Sequence, residues 1–166
     1  MSRYAEGTSV PVERSRAEIE ALLRRYGADQ FVSGWELGRA MIGFRCQDRF
    51  IRFVLAFPAR DDRRFTHVKH KHRYFETERT ERQAEEAYNS EQRRLWRALA
   101  LVIKAKLEAV TSGITTFENE FMAHIVMPDG KTVGEHVRPA IETAYKLGRV
   151  PALLGLPAGD VVDVDP

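Results

Sequence analysis

The chain holds one cysteine, Cys46, among 166 residues. No internal disulfide is possible, which fits a reducing compartment. No apolar run approaches the ~18 residues that a membrane span needs, and the opening MSRYAEGTSVPVERSR has no apolar signal core. Gly34, Gly38 and Gly43 do not form a dinucleotide fingerprint and no Walker pattern occurs, so nucleotide hydrolysis is disfavoured. Charge of one sign is also missing: 26 Lys and Arg stand against 24 Asp and Glu, a formal net charge of +2. The chain as a whole is no polycation, and any nucleic-acid role must come from local clustering. These absences point to a soluble cytoplasmic protein without a membrane partner or an implied cofactor.

What is present suffices for one domain with its own core: 43% of residues are hydrophobic, including nine Phe, five Tyr and two Trp. The longest periodic segment runs from Glu81 to Ser112. At 100° per residue, Leu95, Trp96, Leu99, Val102, Ile103, Leu107 and Val110 share one arc, which predicts a long helix with a core-facing side. Arg93, Arg97 and Lys104 fall opposite as a basic ridge. Lys106 falls near the middle of the apolar arc. There it would snorkel or pair with a carboxylate, Glu118 or Glu120.

Around this helix the chain divides as follows. Residues 1–14 read as an extended arm, with Val10 and Val12 as a possible edge strand. Residues 15–150 form the domain. Ser15-Arg-Ala-Glu18 has the capping-box pattern, and Ile19, Leu22, Leu23 and Tyr26 then make one stripe that Gly27 ends. Residues 28–36 suit a short strand. Arg39–Arg45 and Arg49–Phe57 read as a hairpin about Cys46-Gln47-Asp48. Alternation puts Ala40, Ile42, Phe44, Ile51, Phe53, Leu55 and Phe57 on one face, and Arg39, Met41, Arg45, Phe50, Arg52 and Val54 on the other. Residues 59–80 form a basic loop, flexible or carrying a short hairpin around Lys69–His72. After the long helix, Thr116–Glu120 suits a helical turn, Phe121–Met127 an apolar segment with β-branched residues, and Pro128-Asp129-Gly130 a turn. Thr132 caps a last helix, Val133–Leu147, with Val137, Ile141, Ala144 and Tyr145 inward and Pro139 implying a kink or late start. Residues 151–166 are a Pro/Gly-rich tail. The element order predicts an α+β fold: a hairpin or three-stranded antiparallel sheet packed on a long central helix, with flanking N- and C-terminal helices.

Three chemistries compete for the polar residues. The hairpin cations Arg45 and Arg52, the loop cations Arg63, Arg64, Lys69 and Lys71, and the ridge Arg93, Arg97 and Lys104 would neutralise phosphates, while Phe50, Phe65 and Tyr74 would stack bases of a single strand. The same charges also read as a solvated face. His67, His70 and His72 offer three imidazoles, but no cysteine lies near and cationic neighbours oppose a metal, so no metal site is assigned. Cys46 between Arg45 and Arg49 would favour a thiolate, yet no histidine is placed by sequence as its base. An enzyme would need titratable groups converging on a pocket around Lys106, Glu120 or His124. No catalytic residue is assigned.

The stretches RSRAEIEALLRRYGADQF, RAMIGFR, RRFTH, LWRALALVIKAKLEAV and ITTFENEFMAHIVMPDGKTVGEHV resemble a family of small uncharacterised proteins of phages, prophages and other mobile elements. The resemblance spans most of residues 10–155. It implies a mobile-element context in a host cytoplasm and no particular activity. The order of helix, strand, hairpin, loop and long basic helix is also similar, in topology alone, to single-strand annealing proteins of the RecT type, in which DNA lies between hairpin and helix. The expected function is non-enzymatic binding of nucleic acid, single-stranded DNA first, in a chain that could form a homo-oligomer. The competing expectation is a module that binds a host or phage protein.

Overall fold

Gln47 and Asp48 both take positive φ, 49° and 58°, and Cys46 pairs with Arg49 across them. This two-residue turn matches the right-handed twist of the strands it joins and fixes the hairpin register. The computed structural model describes residues 4–69 and 76–148. Its elements in order are α1 (Val12–Arg25), β1 (Gln30–Glu36), β2 (Arg39–Cys46), β3 (Arg49–Ala56), α2 (Arg63–Thr66), β4 (His67–Lys69), β5 (Glu76–Glu78), α3 (Glu81–Thr111), α4 (Phe117–Phe121) and α5 (Val133–Leu147). A 3₁₀ turn, Met122–His124, follows α4. The fold is α+β, as expected. One antiparallel sheet has the order β1-β2-β3, and β4 and β5 form a separate two-stranded ribbon.

The strand alternation holds. Ala40, Ile42, Phe44, Ile51 and Phe53 are buried on the inner face, where they meet Ile19 and Leu23 of α1 and Trp96, Leu99, Ile103 and Leu107 of α3. Phe121 closes the core edge-on to Phe44 (5.9 Å between centroids) and to Phe53 (6.3 Å). Arg39, Met41 and Val54 stay exposed on the outer face, with Arg45, Phe50 and Arg52 half-buried there.

Helix α3 begins as its sequence dictates. The Thr80 side chain accepts from Gln83 N, and the Gln83 side chain accepts from Thr80 N. The same reciprocal cap joins Thr132 and Glu135 at the start of α5. Gly27 (φ 88°) and Gly113 (φ 69°) follow α1 and α3 in the left-handed region that favours glycine.

Several expectations are corrected. The arm is shorter than residues 1–14, because α1 starts at Val12 behind Pro11, which has no N–H to leave unpaired. Ser15 is therefore not a cap. It is fully buried one turn inside the helix, with its hydroxyl directed at Pro11 O (3.4 Å). On α3, Val102 is 44% exposed and Ala100 takes a place in the core instead. Phe121–Met127, read only as an apolar segment, turns through the 3₁₀ segment and touches the sheet at one bridge, Ile51 to Ile125. Helix α5 starts without delay at Val133, but it packs mainly on the 3₁₀ turn and buries no residue fully. Ile141 and Tyr145, expected inward, are 48% and 88% exposed. The tail, residues 151–166, lies outside the described residues.

Candidate nucleic-acid interface

The basic segment folds against the start of α3. Asp62 caps α2 by accepting from Arg64 N at 3.0 Å, and Phe65 inserts edge-on against Tyr88 of α3, 5.5 Å between centroids. The chain then reverses through the β4–β5 ribbon, in which His67 pairs with Glu78, Val68 with Thr77 and Lys69 with Glu76. Two short antiparallel strands are thus present in this segment; the turn expected around Lys69–His72 lies, beyond Lys69, outside the described residues.

This packing builds a cleft of about 490 Å³ lined by Arg63, Arg64, His67, Val68, Lys69, Glu76 and Arg79. Arg63 and Lys69 share one carboxylate, Glu76, at 2.7 and 3.5 Å. The hydrogen bond from Arg63, and then the charges of Arg63 and Lys69, hold the Glu76 carboxyl below the usual glutamate range. Arg64 pairs with Asp62 at 3.1 Å. Arg79 is held by main-chain carbonyls: its guanidinium donates to Arg64 O (2.9 Å) and Phe65 O (2.8 Å). Positive charge therefore exceeds negative charge in this cleft, and the exposed ends of Arg63 and Lys69 (74% and 87%) can exchange a carboxylate for a phosphate at little cost.

The structure joins Arg63, Arg64 and Lys69 of the expected site and adds Arg79 and His67. Arg79 was missed because its sequence neighbours Glu76, Glu78 and Glu81 mask it, and only the ribbon turns it toward Arg64. Lys71 and Tyr74, expected in the same site, lie outside the described residues, as do His70 and His72. The His67 ring nitrogen Nδ1 lies 2.9 Å from the Thr66 hydroxyl.

Other expected residues go elsewhere. Phe65 is buried under Tyr88 and cannot stack a base. Arg93 and Arg97 do not form an open ridge, because α1 and the chain before it cover that side of α3. Arg97 pairs with Glu18 of α1, and Arg93 pairs with Glu86 (2.7 Å) while donating to Thr8 O (3.3 Å). Lys104 is exposed on α3 away from the cleft residues. Arg45, Arg52 and Phe50 share the outer sheet face, far from the ribbon in the fold. Arg45 is paired with Asp29 and Arg52 with Glu135 (2.6 Å), and the Phe50 ring lies over Gly43.

Two further groups were singled out for reactivity. Cys46 is buried, its Sγ directed at Tyr26 O (3.7 Å), and burial pushes its thiol up, so the expected thiolate is not favoured. Lys106 forms an ion pair with Glu120, and His124 stacks on Phe53 at 4.0 Å between centroids. Lys106 and Glu120 thus tie α3 to α4, and His124 meets the sheet at Phe53. Among the described residues, no helix is long and apolar enough to cross a membrane. No family model, curated protein or solved structure matches the chain.

Proposed function

We propose that the protein binds single-stranded nucleic acid, single-stranded DNA first, as a non-enzymatic component of a phage or mobile element. The observation that carries this reading is the cleft lined by Arg63, Arg64, Lys69 and Arg79 with a single lining carboxylate, Glu76, which Arg63 and Lys69 share. A cation excess held on a hairpin recognises a phosphate backbone by charge, and aromatic residues beside it add sequence-tolerant stacking. Phe65 no longer serves that role. Tyr74 and Lys71 stay in the proposal on their sequence position between β4 and β5.

Fluorescence anisotropy with labelled single-stranded and duplex DNA, at low and then high salt, tests it. The single strand binds more tightly, and affinity falls with salt by about 0.7 log unit per log unit for each phosphate neutralised. Arg63→Ala with Lys69→Ala weakens binding and flattens that slope. Glu76→Gln removes the competing carboxylate and tightens binding. Arg97→Ala, at a residue committed to α1, leaves binding unchanged. Absence of binding at low salt, or an unchanged slope in the double variant, refutes the proposal.

A second reading rests on the outer sheet face. There the arginines are paired with carboxylates, while Val32, Met41 and Val54 stay exposed beside a cleft of about 470 Å³. A neutral, apolar surface suits a protein partner better than phosphate. Such a complex survives high salt, where the nucleic-acid complex dissociates.

A further inference from the structure

Strand β1 is the edge of the sheet, and among the described residues nothing pairs with its outer side. It carries none of the devices that usually blunt an edge: no proline, no lysine and no bulge occur between Gln30 and Glu36. Its hydrogen-bond phase follows from the hairpin. The two-residue turn makes Cys46 and Arg49 a hydrogen-bonded pair, so Phe44, Ile42 and Ala40 bond to β3, and Arg45, Gly43, Met41 and Arg39 bond to β1. In β1 the partners of those residues are Gln30, Val32, Gly34 and Glu36. The N–H and C=O groups of Phe31, Ser33 and Trp35 therefore point outward from the edge.

We propose that a second copy of this chain pairs with β1 antiparallel about a two-fold axis at Ser33. In that register Phe31 faces the other copy's Trp35, Ser33 faces Ser33, and every outward main-chain group has a partner. The side chains fit one another as well. Val32 falls opposite Gly34, and Gln30 opposite Glu36, so no like charges meet between the strands themselves. At the axis each Ser33 hydroxyl accepts from its own Arg16, and these two arginine side chains turn apart as the copies join. Phe31 and Trp35 meet on the inner face as an aromatic pair, once on each side of the axis. This accounts for Trp35, which is 83% exposed on the core side of its strand, an unusual place for the largest apolar side chain. Beside Phe31 lies a cleft of about 200 Å³, lined by Leu23, Ala28 and Phe31 together with the polar Glu20, Arg24, Asp29 and Gln30, which the indole of the incoming Trp35, with its N–H donor, can enter. The pairing extends each three-stranded sheet into one continuous sheet and leaves the basic cleft of each copy open. It does not rest on the nucleic-acid reading.

Sedimentation equilibrium of the full chain tests the stoichiometry, and a cross-link tests the register. Hydrogen-bonded antiparallel partners have Cα atoms about 5.5 Å apart, within disulfide reach. Ser33→Cys, in a Cys46→Ser background, therefore forms a disulfide-linked dimer under mild oxidation. Leu37→Cys in the same background, 99% exposed but beyond the strand, does not. Trp35→Lys, at a solvent-exposed position where the monomer fold is retained by circular dichroism, raises the dimer Kd at least about thirtyfold. A monomer at the highest soluble concentration overturns the proposal, and so does Ser33→Cys cross-linking no faster than Leu37→Cys.

Discussion

Lys106 Nζ donates to Glu120 twice, to the carboxylate Oε1 at 2.9 Å and to the main-chain carbonyl at 2.9 Å. Both side chains are about three-quarters buried, and the ammonium also lies 5.8 Å from the Phe121 ring centroid. The pair ties the middle of α3 to α4 at the edge of the aromatic core.

Removing one member of this pair leaves the other with poor solvation. Lys106→Ala is expected to cost about 2 kcal/mol, since charged hydrogen bonds of this kind are worth roughly 1.5–3 kcal/mol. Glu120→Gln costs less, because an amide oxygen and the main-chain carbonyl both remain as acceptors. Urea denaturation of the two variants measures the order; equal losses would show that the charge rather than the hydrogen bonds holds α4.

Phe65 anchors the basic ribbon to α3 through Tyr88, and Arg60 lies over that tyrosine ring, 4.8 Å from its centroid. Phe65→Ala is expected to destabilise the chain by about 3 kcal/mol, the cost of an emptied aromatic site. Phe65→Leu costs markedly less. A base-stacking role would instead leave the melting temperature of Phe65→Ala unchanged while DNA affinity falls.

Glycine serves at one helical position for space. A Cβ on Gly134 would lie 2.8 Å from the main-chain oxygen of Ala123, which cannot move without shifting the 3₁₀ turn. Gly134→Ala is therefore expected to destabilise by about 2 kcal/mol, although helix propensity alone favours alanine by about 1 kcal/mol. At Gly43 the nearest obstacle is the Phe50 ring tip, at 2.9 Å, which can swing outward. Gly43→Ala should cost less than Gly134→Ala in the same thermal melts.

His124 is half-buried against Phe53. Burial, and then the Lys106 charge, hold its pKa below the ordinary histidine value. The unfolded chain then takes up a proton at about pH 6.5 that the folded chain still refuses. Stability is therefore unaffected above that pH and declines as pH falls from it toward the lower folded value. His124→Phe, which keeps a ring on Phe53, is expected to flatten the decline in melting temperature between about pH 6.5 and 5. A wild-type curve that is already flat over this interval would contradict the assignment.

What the sequence by itself determined is what backbone geometry repeats. Strand alternation separated Phe44 and Phe53 from Arg45 and Arg52, because side chains change face with every residue. The Thr132 cap and the place of the hairpin loop were legible because their chemistry lies within a few residues, although the loop read as Cys46-Gln47-Asp48 proved to be the two-residue turn Gln47-Asp48. Even Lys106 and its partner could be narrowed to two glutamates, since a cation on an apolar arc needs an acid nearby. Long-range placement decided the rest. The side of α3 bearing Arg97 is a contact surface because α1 brings Glu18 to it. Phe65 became core because α2 docks on Tyr88, and Arg79 joined Arg63 and Lys69 because a ribbon folds back between them. Periodicity tells which residues share a face. Only the packing of distant segments decides whether that face meets protein or water, and which charges it leaves unneutralised.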